Sequence, residues 1–198
     1  MTVNIYYHKN FQLKCIWNPN IEKMIKCLCL LPGHGEELIV FYEDEFLIFD
    51  INEERLTSKI IHPTIPVYLE FNSANQLMIV NKTGKLEFFD SNTRKLNNIL
   101  VNEGHFLQMA KWNPFVSHEF VFVSNDSLLF LGSISFSKTK KVNLKLEEGL
   151  SINDISWYIC DENYKYLLVS VSDGNMFLTD MEQEIIIQRY EKYGSASK

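Results

Sequence analysis

Leu86-Glu87-Phe88-Phe89-Asp90 is a short apolar run that stops on an aspartate, and the chain repeats its form three more times. Phe46-Leu47-Ile48-Phe49-Asp50 precedes it, and Leu128-Leu129-Phe130-Leu131-Gly132 and Met176-Phe177-Leu178-Thr179-Asp180 follow. The closing residues Asp50, Asp90, Gly132 and Asp180 succeed one another at steps of 40, 42 and 48 residues. Six positions before each stand Asp44, Gly84, Asp126 and Gly174, all in polar clusters. Thr83-Gly84 and Asp173-Gly174 carry the glycine that tolerates positive φ, so each cluster reads as a hairpin turn with a strand on either side.

Upstream of these turns lie 37–42, 76–80, 119–123 and 166–171, rich in β-branched and aromatic residues and apolar on both faces. Such strands belong in a sheet sandwiched between neighbours. First strands are expected at 25–31, 67–72, 107–112 and 152–158, and fourth strands at 55–61, 95–101, 140–146 and 184–190. A four-stranded unit recurring every 40 or so residues is the sequence mark of a propeller blade. The predicted fold is therefore all-β, a partial β-propeller.

Full blades are placed at 24–61, 67–101, 106–146 and 152–190. Val3-Asn4-Ile5-Tyr6-Tyr7 and Gln12-Leu13-Lys14-Cys15-Ile16 read as the last two strands of an earlier blade, a half blade at 1–17. The predicted domain is 1–193, with four and a half blades and a disordered tail at 194–198. Residues 182–193 mix polar and apolar side chains in a way that could suit a helix, but Ile185-Ile186-Ile187 is β-branched and favours a strand. An open propeller leaves bare sides: about 500 Å² of apolar surface per flank, at roughly 25 cal/mol per Å², is about 12 kcal/mol. That rivals the stability of a whole domain. The chain is expected to be a piece of a longer propeller, or to have its flanks covered by another chain.

Composition fits a packed interior, with 46% hydrophobic and 13% aromatic residues. The net charge of −6 repels phosphate backbones, and no nucleic-acid partner is expected. The Lys138 to Lys141 run is read as a solvated loop. No 18-residue apolar run or signal-like leader appears, so membrane insertion is not expected and the protein is read as soluble and cytoplasmic. Cys15, Cys27, Cys29 and Cys160 read as reduced thiols, with Cys27 and Cys29 on one face of a strand because side chains alternate.

The strand ends resemble those of the WD-repeat family, whose third strand finishes in Trp-Asp after an Asp-Gly type turn. Phe49-Asp50, Phe89-Asp90 and Thr179-Asp180 match the aspartate, with Phe replacing Trp in two units. The family's Gly-His pair is matched by Gly104-His105 ahead of the third unit, and His62 holds a similar place ahead of the second. The resemblance implies a hydrogen-bonded brace of His, Asp, Ser or Thr and Trp within each blade. No unit here keeps the full set, so Phe49 and Phe89 are expected to pack as plain hydrophobes, alongside the repeat positions Asp50, Asp90, His105 and Asp180.

Catalytic constellations are missing from the sequence: it has no Gly-x-Ser-x-Gly elbow, phosphate-cradling loop, His-Glu-x-x-His or CxxC pair. No enzyme activity, metal or cofactor is expected. Glu36-Glu37, Glu43-Asp44-Glu45, Glu53-Glu54 and Glu147-Glu148 read as solvated turns in which water keeps carboxylates near their ordinary pKa. The resemblance places Glu43, Asp44 and Glu45 on a face that receives partners, where they would suit a basic peptide. Further candidate binding residues on turns are Lys82, Lys85, Asn125, Asp126, Asp173 and Asn175. The repeated Trp17-Asn18-Pro19 and Trp112-Asn113-Pro114 read as structural punctuation.

A scaffold with turns and no reactive cluster reads as a protein-interaction platform. The style of its loose repeats resembles WD-repeat proteins of cilia and flagella, which implies axonemal or other large-assembly partners. A vesicle-coat or ubiquitin-ligase adaptor subunit is the first alternative. An enzyme or small-ligand binder using the central channel is the second, and Cys27, Cys29, Leu69, Ala110 and Ser156 on the first strands are mostly neutral for that role.

Overall fold

The computed structural model describes residues 3–6, 13–17, 23–32, 37–81, 83–99, 106–135, 138–159 and 165–192. Every regular element among them is a strand. A two-stranded sheet joins β1 (Val3–Tyr6) to β2 (Leu13–Trp17). The first four-stranded sheet holds β3 (Cys27–Leu31), β4 (Glu37–Phe41), β5 (Glu45–Asp50) and β6 (Arg55–Ile61) in chain order. The second holds β7 (Pro66–Phe71), β8 (Gln76–Asn81), β9 (Leu86–Asp90) and β10 (Lys95–Ile99). The third holds β11 (Leu107–Trp112), β12 (Glu119–Ser124), β13 (Leu129–Ser133) and β14 (Lys138–Val142). The fourth holds β15 (Ile152–Trp157), β16 (Tyr166–Val171), β17 (Met176–Asp180) and β18 (Ile185–Tyr190). The expected strand at 184–190 is thus present in place of a helix. Two compact units divide the chain, Met1–Leu69 and Glu70–Lys198.

Register explains the repeated aspartate. Asp50 lies opposite Glu37 and Arg55, Asp90 opposite Gln76 and Lys95, and Asp180 opposite Tyr166 and Ile185. Each sits at the last rung before a four-residue turn. Its Oδ1 accepts two backbone N–H bonds from that turn: Asn52 and Glu53 for Asp50, Asn92 and Thr93 for Asp90, Glu182 and Gln183 for Asp180. The turns close through Glu54, Arg94 and Glu184 in the left-handed region, at φ of 51°, 57° and 57°. Short carboxylates excel at such local turn bonds, so the aspartate specifies the hairpin itself.

The third unit corrects the expected alignment by one residue. Ser133, not Gly132, lies opposite Glu119 and Lys138, in the place of the aspartates. Gly132 pairs with Phe120 and has a different duty. A Cβ there would stand 2.4 Å from Cζ and 2.5 Å from Cε2 of Phe120. The bare glycine makes room for the ring. The expected positive φ does occur at Gly84 (73°) and Gly174 (89°), both in second-to-third-strand turns.

Burial follows sheet position. β4 is buried along its whole length, as are β8 and β12 after their first residue, which is the pattern of strands covered on both faces. β16 alternates instead, with Leu167, Val169 and Val171 buried and Tyr166, Leu168 and Ser170 partly open. The expectation that 166–171 is covered on both sides is corrected: only one face packs. That face joins Ile155, Trp157 and Phe177 to Val121, Val123 and Leu129 of the third sheet in one apolar core. In the first unit Leu38, Val40, Tyr42, Leu47, Phe49 and Ile51 form another.

Aromatic rings of the second and third sheets pack against one another. Phe88 lies 5.1 Å from Trp112 and 5.2 Å from Phe120, and Phe122 stacks on Phe130 at 4.7 Å. Edge and offset contacts of this kind add about 0.5–1.5 kcal/mol each beyond burial. Phe49 and Phe89 are buried hydrophobes, as expected.

Two expected boundaries shift. Lys138 to Lys141 is not a loop but most of β14, whose ladder stops at Val142, short of the 146 anticipated. Beyond it Leu144 and Leu146 still pack on the core, while their N–H groups turn back to the carbonyls of Val142 (3.1 Å) and Leu144 (2.9 Å). Two successive tight turns therefore replace the last rungs. The half-blade strands fall at β1 and β2, and the tail at 194–198 lies outside the described residues.

Candidate interaction site

Glu43, Asp44 and Glu45 form the turn that enters β5, and the lysines around them decide what they can do. Lys23 Nζ donates to both carboxylate oxygens of Asp44 at 2.8 Å and lies 3.2 Å from Glu45 Oε1. Lys26 Nζ is 2.7 Å from Glu43, and Lys59 Nζ is 2.5 Å from Glu45 Oε2. Three carboxylates meet three ammonium groups. Glu45 is buried and begins a strand, so the solvated-turn reading fails for it; Glu37, buried in β4, fails it too. The hydrogen bond from Lys59 holds the Glu45 carboxyl below its ordinary pKa against the opposing effect of burial, with Lys23 adding to it. Lys23 likewise lowers Asp44. A turn neutralised by its own chain offers a basic peptide little net attraction.

The remaining candidate residues mostly hold their own turns. Asn81, buried at the end of β8, takes N–H bonds from Thr83 and Lys85 on its Oδ1 and so holds the turn that carries Lys85. Lys85 is exposed, and Lys82 and His105 lie outside the described residues. Asp126 accepts the Ser124 hydroxyl, while the Asn125 N–H bonds to the carbonyl of Phe106 at 2.8 Å. Asp173 accepts from the backbone and side chain of Asn175, whose own Oδ1 takes the Lys192 N–H at 3.1 Å. Asp180 is buried; burial would raise its pKa, but the Gln183 and Glu182 N–H groups and Lys165 outweigh it and hold it down.

His62 is enclosed edge-on by Phe41 and Phe46, at ring distances of 6.0 and 5.9 Å, with Nε2 3.5 Å from Thr64 Oγ1. Cys27 and Cys29 do share one face of β3, and Leu28 and Leu30 between and beyond them are exposed. Burial pushes the Cys27 thiol up to about 11 and Cys29 to about 12. Thiols raised in this way stay protonated near neutral pH. No group of metal-ligating side chains occurs among the described residues.

Trp112-Asn113-Pro114 proves to be a joint. The Trp112 N–H donates to Glu70 Oε2 at 2.7 Å and its indole Nε1 donates to the Glu70 carbonyl at 2.9 Å, tying β11 to the end of β7. Asn113 Oδ1 then accepts the N–H groups of Phe115 and Val116, at 3.0 and 3.3 Å, and shapes the turn. Sequence reasoning missed a further feature, a cavity of about 230 Å³ beside β14 lined by Leu128, Val142, Leu144, Leu146, Lys141 and Lys145 among others. Its signal was available in the alternating Lys141-Val142-Asn143-Leu144-Lys145-Leu146.

Successive antiparallel four-stranded meanders, with turns built alike, point to one architecture. A solved structure agrees: the β-propeller domain of Cps50 (Swd1) from Myceliophteria thermophila is similar at a TM-score of 0.70 and 15% identity. The fold is a partial β-propeller. The similarity covers 97% of this chain and 58% of the matched chain, so the chain spans less than two thirds of that propeller domain. No protein-family profile matches the sequence. No curated protein matches it either.

Proposed function

We propose that this chain is a non-catalytic propeller segment serving as a protein-interaction scaffold, with the open face of its fourth sheet covered by a further blade-like sheet. The alternating burial of β16 carries the reading. Opposite Leu168 and Ser170 on that face stand Leu178 and Met176, and Met176 is 44% exposed. Tyr190 lies opposite Met176, and Ile185 and Ile187 on the same strand are about half exposed. An open face that carries Leu168, Met176, Tyr190 and Ile185 beside Ser170 and Gln188 reads as an interaction surface. The longer reach of the matched propeller domain supports a sheet as the occupant, because sheets are what cover the corresponding faces within this chain.

Within that class the proposal extends to large assemblies of cilia and flagella, with a cytoplasmic or axonemal location, on the strength of the loose repeats. Light scattering of the isolated chain over a concentration series tests the scaffold reading. Self-association reduced by Met176→Glu with Ile187→Glu is the expected result, and a monodisperse monomer at all concentrations would overturn the uncovered face. Affinity capture from source cells tests the narrower part: tubulin and axonemal proteins support it, whereas coat or ubiquitin-ligase subunits displace it.

A further inference from the structure

We infer that the cavity beside β14 is a docking site for an extended acidic peptide of a partner protein, one that inserts a single apolar side chain between Leu128, Val142, Leu144 and Leu146. This rests on the scaffold reading and gives one surface of it a ligand chemistry.

Size argues first. About 230 Å³ falls short of the roughly 300–1,000 Å³ of sites that enclose whole small molecules, and it suits a side chain or two. Shape argues second. The chain leaves the β14 ladder at Val142 and closes two tight turns, so Leu144 and Leu146 reach the core from outside the sheet and leave a recess rather than a filled edge.

Charge identifies the occupant. Among the described residues, the only charged side chains lining the recess are Lys141 and Lys145, in a chain whose net charge is −6. Several lysines elsewhere are committed: Lys23, Lys26, Lys59, Lys111 and Lys165 face carboxylates of their own chain, and so does Lys140, the neighbour of Lys141, held by Glu184 at 2.5 Å. Glu184 also accepts the Asn143 N–H at 3.2 Å, and Glu147 is bound to Arg189 at 2.8 Å. Glu184 and Glu147 are thus engaged by other cations. Lys141 and Lys145 have no ion-pair partner among the described residues and flank an apolar recess, which is complementary to carboxylates flanking an apolar side chain.

A random peptide library displayed on phage and selected on the full chain tests this, followed by anisotropy titration of the most enriched peptide. The expected consensus places Asp or Glu around Leu, Ile or Phe. Affinity should fall at least 10-fold in Lys141→Glu with Lys145→Glu, remain within twofold in the control Lys95→Glu, and weaken as salt rises. Both lysines substituted are surface groups, and an unchanged circular dichroism spectrum verifies that the variant folds. A consensus without acidic residues, no enrichment, or affinity indifferent to the charge reversal overturns the site. The scaffold reading is judged separately by self-association, so the two fail independently.

Discussion

Replacing Gly132 by alanine ought to stabilise an ordinary strand, because glycine in a strand interior is worse than alanine by roughly 0.5–1 kcal/mol. Here the sign should reverse. The added methyl would sit 2.4, 2.5 and 3.0 Å from three ring atoms of Phe120, well inside contact distance. Phe120 is fully buried and has no direction of retreat, with Phe88 at 5.2 Å, Trp112 at 5.8 Å and Phe122 at 6.1 Å. Overpacking of this kind costs about 1–3 kcal/mol. In a chain of this size each kcal/mol lowers the melting temperature by about 2–4 °C. Urea unfolding followed by tryptophan fluorescence measures it, since Trp112 borders the same ring. Phe120→Leu, destabilising alone, should recover much of the loss when combined with Gly132→Ala, giving a coupling above about 1 kcal/mol in a double-mutant cycle. A Gly132→Ala protein as stable as the parent, or strictly additive effects, would refute the reasoning.

Glu70→Ala should lower stability by about 1–3 kcal/mol by leaving the Trp112 N–H without its acceptor, and Glu70→Gln should restore most of it in the same urea assay. Asp90→Ala should cost about 1 kcal/mol through two lost turn bonds, whereas Asp90→Asn, which keeps an acceptor at Oδ1, should cost less. Glu45 and Asp180 both have pKa values lowered by folding, so their stabilisation is complete above their unfolded values of about 4.3 and 3.9 and is lost as pH falls through the lower folded values. A urea midpoint that stays level down to about pH 4.5 and falls below it is expected, with a smaller fall in Glu45→Gln. Cys27 and Cys29, with thiols raised to about 11 and 12, should react with iodoacetamide at pH 8 far more slowly in the folded chain than in urea, as read by mass spectrometry.

The repeat was legible because its marker is local. An aspartate that captures the next turn's N–H groups leaves the same trace wherever it acts, and Asp50, Asp90 and Asp180 all occupy the expected rung. The third unit slipped by one residue because its position is held by Ser133, while Gly132 beside it imitates a turn glycine and in fact serves a ring across the sheet. Site residues were harder to read for a related reason. Glu45 looks like part of a solvated acidic turn unless one knows that Lys23 and Lys59, 22 residues before it in sequence and 14 after, return to it in space. The half-open fourth sheet was hidden as well, since Tyr166-Leu167-Leu168-Val169 is apolar at consecutive positions and only the fold reveals which face lacks cover. Lys141 and Lys145 stand in a visible alternation with Val142, Leu144 and Leu146, but that the chain leaves β14 there and opens a recess is seen only in the fold.

Because each aspartate fastens a turn made from the next three or four residues, the instruction for a hairpin travels within one short stretch of gene. Duplicating such a stretch would copy a unit already able to set its own register. What a new copy must still negotiate is lateral fit, the kind of demand Glu70 places on Trp112. Variation should therefore be tolerated in the residue before the aspartate sooner than in the carboxylate itself, and Phe49, Phe89 and Thr179 ahead of Asp50, Asp90 and Asp180 fit that order.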